Sequence, residues 1–476
     1  MSFFPNSRTF LQIGPLHIQW YAVLILSGAC LAYWLSKQNA RKLHYPDTVM
    51  SDYFIYMLWC GVIGARLWYC IFYDPQYYFS NPLRILQIYE GGLAIHGGLL
   101  AGILYSIFYC KRKGLSFLQF ADCIMPNVLL AQAIGRWGNF VNQECHGQEV
   151  AESFYDGPLF FLKEGMHING HYYEPMFFYE SMANLLGFFL IGVILRKHRN
   201  KRGDLTWAYL MWYGIVRFFI ESRRTDALQF GPFKVAQLAS VAAFLIGLLG
   251  YLGVFERFFP KRKPTVLFDF DGTLVDTEQL ILDSYLNLFR ARGREAEFTR
   301  EKQLSVLGPA LNVKMKDFFP EEDPEALIRE YSEGQQKILS EVTVMPQAAE
   351  MLKELQEEGY TTGVVSARYT ESVERIAKQC GLYEYLGGIL GRDEYQKDKP
   401  DPDGIITFLD RYKANRDEVI YVGDSPSDIA SGKAYGAYTI AYCRGDDRSE
   451  AVKAASPDAV VSSLSEIPEL VRSCKA

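Results

Sequence analysis

Seven apolar runs, each long enough to cross a bilayer, crowd the first 255 residues and constrain the fold more than any other feature. They lie near 18–36, 50–73, 93–110, 119–140, 176–195, 205–221 and 235–255. A basic cluster follows each odd-numbered run: Lys37, Arg41 and Lys42; Lys111, Arg112 and Lys113; Arg196, Lys197, Arg199, Lys201 and Arg202; Arg257, Lys261, Arg262 and Lys263. These 15 basic residues share one side, against six on the other, Arg8, Arg84, Lys163, Arg223, Arg224 and Lys234. The positive-inside rule then predicts about seven transmembrane helices, with the N-terminus outside and the end of the last helix in the cytoplasm. The first run has no basic segment before it, which argues against a cleaved signal peptide.

The character of the 476-residue chain changes after Pro260. Residues 1–260 hold 21 Lys and Arg and 16 Asp and Glu, a net charge of +5. Residues 261–476 hold 28 and 39, a net charge of −11. Two unlike domains are therefore predicted: a membrane domain at 1–260 and a cytoplasmic, charge-rich domain at 261–476. Neither is basic enough for a nucleic-acid binder. The nine cysteines form no CxxC pair, so neither a zinc ribbon nor a redox motif is indicated. All seven histidines precede residue 200, so chemistry in the second domain proceeds without histidine.

Three arginines, Arg66, Arg136 and Arg217, fall inside the apolar runs. Each costs about 2.5–3.5 kcal/mol at mid-membrane on insertion scales, so such residues normally face a wet interior and meet an anion. Glu180 and Glu221 lie in or beside the same runs and are candidate partners, above all for Arg66. The densest polar cluster spans Gly135 to Gly147 at the outer end of the fourth run. Its glycines admit close backbone approach, Arg136 offers a planar fork suited to phosphate, and Asn139 and Asn142 add uncharged donors. Together they predict a phospholipid-headgroup site. A second cluster, Glu90 to Gly98, surrounds His96 with four glycines and suggests another part of that site.

Residues 135–147 carry the pattern GRxGNFxNxExxG and resemble the signature of the prolipoprotein diacylglyceryl transferases. The resemblance extends over about residues 10–255. It takes in Tyr21, Gly64-Ala65-Arg66, His96-Gly97-Gly98, Pro175 with Tyr179-Glu180-Ser181, and Tyr213 to Arg217 followed by Glu221, Arg224 and Asp226. Many members have histidine where this chain has Glu174. The resemblance implies transfer of the diacylglyceryl group of phosphatidylglycerol to the lipobox cysteine of preprolipoproteins. A thioether forms, glycerol phosphate leaves, and no cofactor is needed. A base near the thiol would help form the thiolate, and His96, the only histidine inside an apolar run, is the candidate. The resemblance further implies Arg136 and Arg217 on the departing phosphate, and Tyr21, Arg66, Asn139, Asn142, Glu144 and Gly147 in substrate binding. A transporter or channel with a regulatory phosphatase is the reading from a different class.

Past Pro264, apolar strands alternate with charged helices, which predicts an open parallel α/β sheet. The first strand ends in Asp269-Phe270-Asp271-Gly272-Thr273, the second in Ser366, and the last in Gly423-Asp424-Ser425-Pro426-Ser427-Asp428. Lys399 stands between the second and the last. Taken in this order, the four elements resemble the haloacid dehalogenase superfamily of phosphatases, a Rossmann-like fold. The resemblance implies Asp269 as nucleophile, Asp271 as acid and base, Ser366 and Lys399 on the phosphoryl group, and Mg2+ held by Asp269, Asp271 through its carbonyl, Asp424 and Asp428. Ser366 is followed by Ala367 where asparagine is usual. About four charged helices between Thr277 and Met345 look like a small cap, which favours a small phosphorylated metabolite or pyrophosphate over a phosphoprotein. A P-type pump would have a lysine after the nucleophile and a larger insert. The transferase cluster is expected outside and the phosphatase inside, so two independent activities are predicted.

Overall fold

The computed structural model describes residues 8–13, 16–73, 75–87, 92–198, 201–224, 229–230, 233–259, 262–307, 311–338, 342–445 and 449–474. Glu90, Gly91, Arg199, Asp226, Pro260 and Lys261, all used above, lie outside the described residues. The chain divides into two compact units, Met1–Lys261 and Arg262–Ala476.

In the first unit a helix lies on each of the seven apolar runs. These are α1 (Trp20–Arg41), α2 (Asp47–Phe72), α3 (Ile95–Lys113), α4 (Phe117–Asn142), α5 (Met176–Gly187), α6 (Asp204–Arg223) and α7 (Val235–Tyr251). A π-helical stretch, Phe188–Leu195, extends α5 toward Arg196–His198. By length and composition three helices are apolar enough to span: α2, α4 and the extended Met176–His198. Val235–Tyr251 is apolar but shorter. Half of α4's most apolar window is buried within the unit, against 17% for α2, so α4 is central and α2 faces outward. Outward-facing Leu26, Trp59, Phe72, Leu104 and Phe219 are exposed, an apolar surface of the kind a bilayer covers.

α1 and α5 pack on α4, α2 packs along α3, and α6 along α7. The α2–α3 contact depends on bare backbone: a Cβ on Gly97 would lie 2.3 Å from the Gly64 carbonyl oxygen and from Trp68 Cβ. α4 also fixes where α6 begins. Buried Asp122 accepts hydrogen bonds from Gly203 N (2.8 Å), Thr206 N (2.9 Å) and Thr206 Oγ1 (2.7 Å), taking up donors at the start of that helix. Between α4 and α5 lies a small antiparallel sheet of Glu149–Val150, His167–Ile168 and His171–Tyr173. Beside it Tyr155, Leu162 and Met166 pack on Phe140 and Phe177.

The second unit is built on β1 (Thr265–Phe268), β2 (Thr361–Val365), β3 (Ile389–Leu390), β4 (Val419–Gly423), β5 (Tyr438–Tyr442) and β6 (Ala459–Val461). They form one parallel sheet in the order β3-β2-β1-β4-β5-β6. β1 (Thr-Val-Leu-Phe) and β4 (Val-Ile-Tyr-Val-Gly) are buried along their whole length, as central strands covered on both faces require. The chain leaves β1 toward β2 and β3 on one side and returns to β4 on the other. The strand order therefore reverses at β1, where sheets of this type bind ligands. Among the described residues the cap has four helices, Glu278–Ala291, Arg300–Ser305, Leu311–Phe318 and Pro324–Ile338. Its own core holds Tyr285, Phe289, Met315, Phe319 and Leu327. A two-residue antiparallel pairing of Val275–Asp276 with Thr343–Val344 joins it to the sheet domain. The fold class is thus a helical region with several apolar helices followed by a parallel α/β domain carrying a helical cap.

Candidate functional sites

The last turns of α4 carry Arg136 and Asn139, and the chain then folds back on itself. Gln143 and Cys145 adopt left-handed backbone, and Glu144 N donates to the Asn139 carbonyl at 3.0 Å. That turn brings Glu144 Oε1 to Asn139 Nδ2 (2.9 Å) and Asn142 Nδ2 (3.4 Å). Arg136 Nη1 donates to Asn139 Oδ1 at 3.3 Å, and its Nη2 to Glu180 Oε1 at 2.6 Å. Glu180 is shared, since its Oε2 lies 3.6 Å from Arg217 Nη1. Arg217 Nη2 also pairs with Glu221 at 2.7 Å, and Arg224 stands 3.8 Å from Glu221. Arginines and glutamates thus alternate across α4, α5 and α6. Tyr21, in the first turn of α1, lies against Gly138. Gly147 rests on Glu174 and Met176, and its N–H donates to the Glu174 carbonyl at 3.0 Å.

Two expected participants stand elsewhere. Arg66 is buried, and its guanidinium donates to the carbonyls of Arg84 (2.7 Å), Ile85 (2.9 Å), Gln87 (3.2 Å) and Gly92 (3.2 Å). These bonds make it a clamp on the segment before α3. His96 is exposed on the first turn of α3, its ring 6.5 Å from that of Trp68. Among the described residues no hydrogen bond or ion pair joins it to Arg136, Asn139 or Arg217. Gly97 beside it serves helix packing.

In the second unit the sheet gathers the predicted residues at its carboxyl edge. Asp269 follows β1, Ser366 follows β2 and Asp424 follows β4. Lys399 Nζ bonds Asp269 Oδ1 (2.6 Å) and Asp428 Oδ1 (2.8 Å). Asp428 Oδ2 accepts from Ser425 N at 3.1 Å and Ser425 Oγ accepts from Asp428 N at 3.3 Å, the capping box that starts Pro426–Tyr435. Two carboxylates around it hold the Lys399 ammonium charged against the cost of burial. Gly272 has φ +81°, and a Cβ there would meet Asp424 Oδ2 at 2.3 Å, so this turn needs glycine.

Asp271 points away from that cluster. Arg368 Nη2 donates to its Oδ1 at 2.7 Å, Arg368 Nε reaches both oxygens at 3.1 Å, and Thr277 Oγ1 donates at 2.6 Å. Burial would raise the Asp271 carboxyl, but the Arg368 guanidinium outweighs it and holds the group below its ordinary value. Arg368 Nη1 reaches the cap at Gln335 Oε1, 2.6 Å away. Arg368 is two residues past Ser366, and its place at a strand's carboxyl edge was the only sequence signal for it. Ser366 is fully buried, its Oγ accepting from Arg368 N at 3.1 Å.

The donor set fits a hard divalent cation. Carboxylate oxygens of Asp269, Asp424 and Asp428, all buried, lie within 4.8 Å of one another. Three acids face the single Lys399 ammonium there. Burial pushes the Asp269 carboxyl well above its usual range, Lys399 opposes this, and Asp428 and Asp424 add to it. A bound cation would relieve that crowding. Asp271 has only its carbonyl to offer, since its carboxylate is turned to Arg368.

Comparison with known proteins follows the same division. Residues 266–442 match the family model for haloacid dehalogenase-like hydrolases. A haloacid dehalogenase-like family hydrolase from Streptococcus pneumoniae aligns at 20% identity and TM-score 0.39, covering 44% of this chain and 98% of that one. A haloacid dehalogenase-superfamily hydrolase of subfamily IA from Geobacter sulfurreducens aligns at 21% and 0.35, covering 44% and 96%. Phosphatidylglycerol–prolipoprotein diacylglyceryl transferases of Bacillus cereus (strain 03BB102) and Bacillus anthracis (strain A0248) are each 42% identical over 245 residues, 51% of this chain and 90% of theirs. Residues 8–252 match the family model for prolipoprotein diacylglyceryl transferase, and the chain belongs to that family.

Proposed function

We propose that the first unit moves the diacylglyceryl group of phosphatidylglycerol to a cysteine thiol of a prolipoprotein, releasing glycerol phosphate. The gathering of Arg136, Asn139, Glu144, Glu180 and Arg217 carries this reading. Arg136 and Arg217, bridged by Glu180, present donors to a phosphodiester and to the charge it gains on leaving. Asn139, Asn142, Glu144 and Tyr21 orient the headgroup, and Gly147 shapes the loop beside them. His96, at the outer start of α3, is the base for the incoming thiol. Arg66 supports this region through the segment it clamps. The N-terminus lies outside the cell and the second unit in the cytoplasm.

The second unit hydrolyses a phosphate monoester. Asp269 attacks phosphorus to form an aspartyl-phosphate, and Asp271, which takes up a proton once it leaves the Arg368 pairing, gives that proton to the departing alcohol and then takes one from water. Ser366 and Lys399 hold the phosphoryl oxygens. Asp269, Asp424 and the Asp271 carbonyl would hold Mg2+, with Asp428 supporting, and the ion would neutralise phosphoryl charge.

Both readings are tested on the full chain in phosphatidylglycerol vesicles. A lipobox peptide should gain the mass of one diacylglyceryl group. Solute flux through the vesicles without peptide lipidation would overturn the transferase reading and favour transport. Retention of full transfer by His96→Ala would remove the base assignment.

A further inference from the structure

The nucleophile opens into a cavity of about 680 Å3 between sheet domain and cap. Cavities of roughly 300–1,000 Å3 hold drug-sized ligands, so this one is far larger than pyrophosphate or a two-carbon phosphate ester requires. Its cap wall carries an apolar strip of Ile281, Val306, Leu307, Leu311 and Ile328 with the rings of Tyr285 and Tyr331, beside the polar Glu278, Ser332 and Gln335. Ile281, Leu311 and Ile328 pack on the cap core yet stay partly exposed toward this space.

The charges decide against a second anionic group on the substrate. Arg368, the half-buried arginine of the lining, spends Nε and Nη2 on Asp271 and Nη1 on Gln335. Arg375 pairs with Glu371 at 2.7 Å. Arg329 stands one helical turn from both Glu325 and Glu333, and all three are exposed at the cavity. The lining carries eight carboxylates against the three guanidiniums of Arg329, Arg368 and Arg375, so a carboxylate or second phosphoryl group on the substrate would meet an excess of like charge.

We propose that this site takes phosphate monoesters of uncharged, apolar alcohols, aliphatic or aromatic, rather than pyrophosphate or phosphorylated acids. The proposal rests on the phosphatase reading above. The phosphorus–oxygen ester bond breaks as the Asp269 oxygen bonds to phosphorus. The alcohol leaves with the Asp271 proton while its carbon body lies on the cap wall. Water then splits the acyl phosphate, its hydroxyl going to phosphorus and its proton to Asp271.

The test measures inorganic phosphate release by the full chain in detergent with Mg2+. The substrates are methyl, butyl, hexyl and 1-naphthyl phosphate, 2-phosphoglycolate and pyrophosphate, and Asp269→Asn is the blank. The expected kcat/KM rises about two- to threefold per added methylene, and hexyl phosphate exceeds phosphoglycolate and pyrophosphate by about tenfold or more. Ile328→Asp, and more mildly Leu311→Ala, should lower the hexyl-to-methyl ratio, the former by about fivefold. A flat alkyl series, or faster turnover of phosphoglycolate or pyrophosphate, overturns the substrate class and leaves the phosphatase standing. No Asp269-dependent release from any ester overturns both.

Discussion

Glu180 pairs with two arginines from two other helices, and that sharing sets the residue-scale expectations. Glu180→Gln leaves Arg136 and Arg217 facing each other without their common carboxylate. Losing one partner of a buried ion pair costs roughly 3–5 kcal/mol, and the partial exposure of Arg136 puts the expected loss at the low end. Peptide lipidation by Glu180→Gln should fall well below that of Glu180→Asp, which keeps the charge. Arg136→Lys keeps charge but loses the fork, and transfer should fall by about a hundredfold. In the second unit Arg368→Lys should lower kcat for ester hydrolysis by about tenfold while KM changes little, because Asp271 loses the group that aims it.

The proposed site residues were legible because they sit in short motifs: Arg136, Asn139 and Glu144 at the end of α4 and the turn after it, Asp269 and Asp271 at one strand end. Their partners were less so. Arg66 looked like an anion site because nothing in a sequence marks backbone carbonyls as its acceptors. Arg368 carried no motif of its own, since its partner Gln335 comes from the cap.

At the scale of elements, Asp122 and Gly97 show how helices are placed. Asp122→Ala strips two backbone donors and one hydroxyl at the start of α6 of their acceptor. A lost cap of this kind costs about 0.5–2 kcal/mol, and burial puts this one at the upper end. The unfolding temperature in detergent should fall. Transfer should fall with it, because α6 carries Arg217. Gly97→Val should force α2 and α3 apart and lower detergent stability without direct loss of any polar contact. The seven helical segments were readable from apolar runs alone. That Gly97 belongs to a helix contact was not, because a glycine beside a histidine has the same appearance at a ligand site as at a helix crossing.

At the scale of the whole molecule, the change of composition near Pro260 marks the place where the structure divides into two compact units. Asp269→Asn should abolish phosphate release and leave peptide lipidation intact, and Arg136→Ala should do the reverse. Any coupling of the two losses would show that the activities are linked. In sealed vesicles with the native orientation, external protease should spare residues 265–476.

Each unit has its own core, one of the helical kind and one built around a sheet. Heat and denaturant should therefore act on them separately. Urea should melt the acidic half along a steep cooperative curve while the detergent-embedded half keeps its helical circular dichroism. Two-state treatment fails for such a chain. A calorimeter should record two endotherms, and only the later-numbered half should refold on simple dilution.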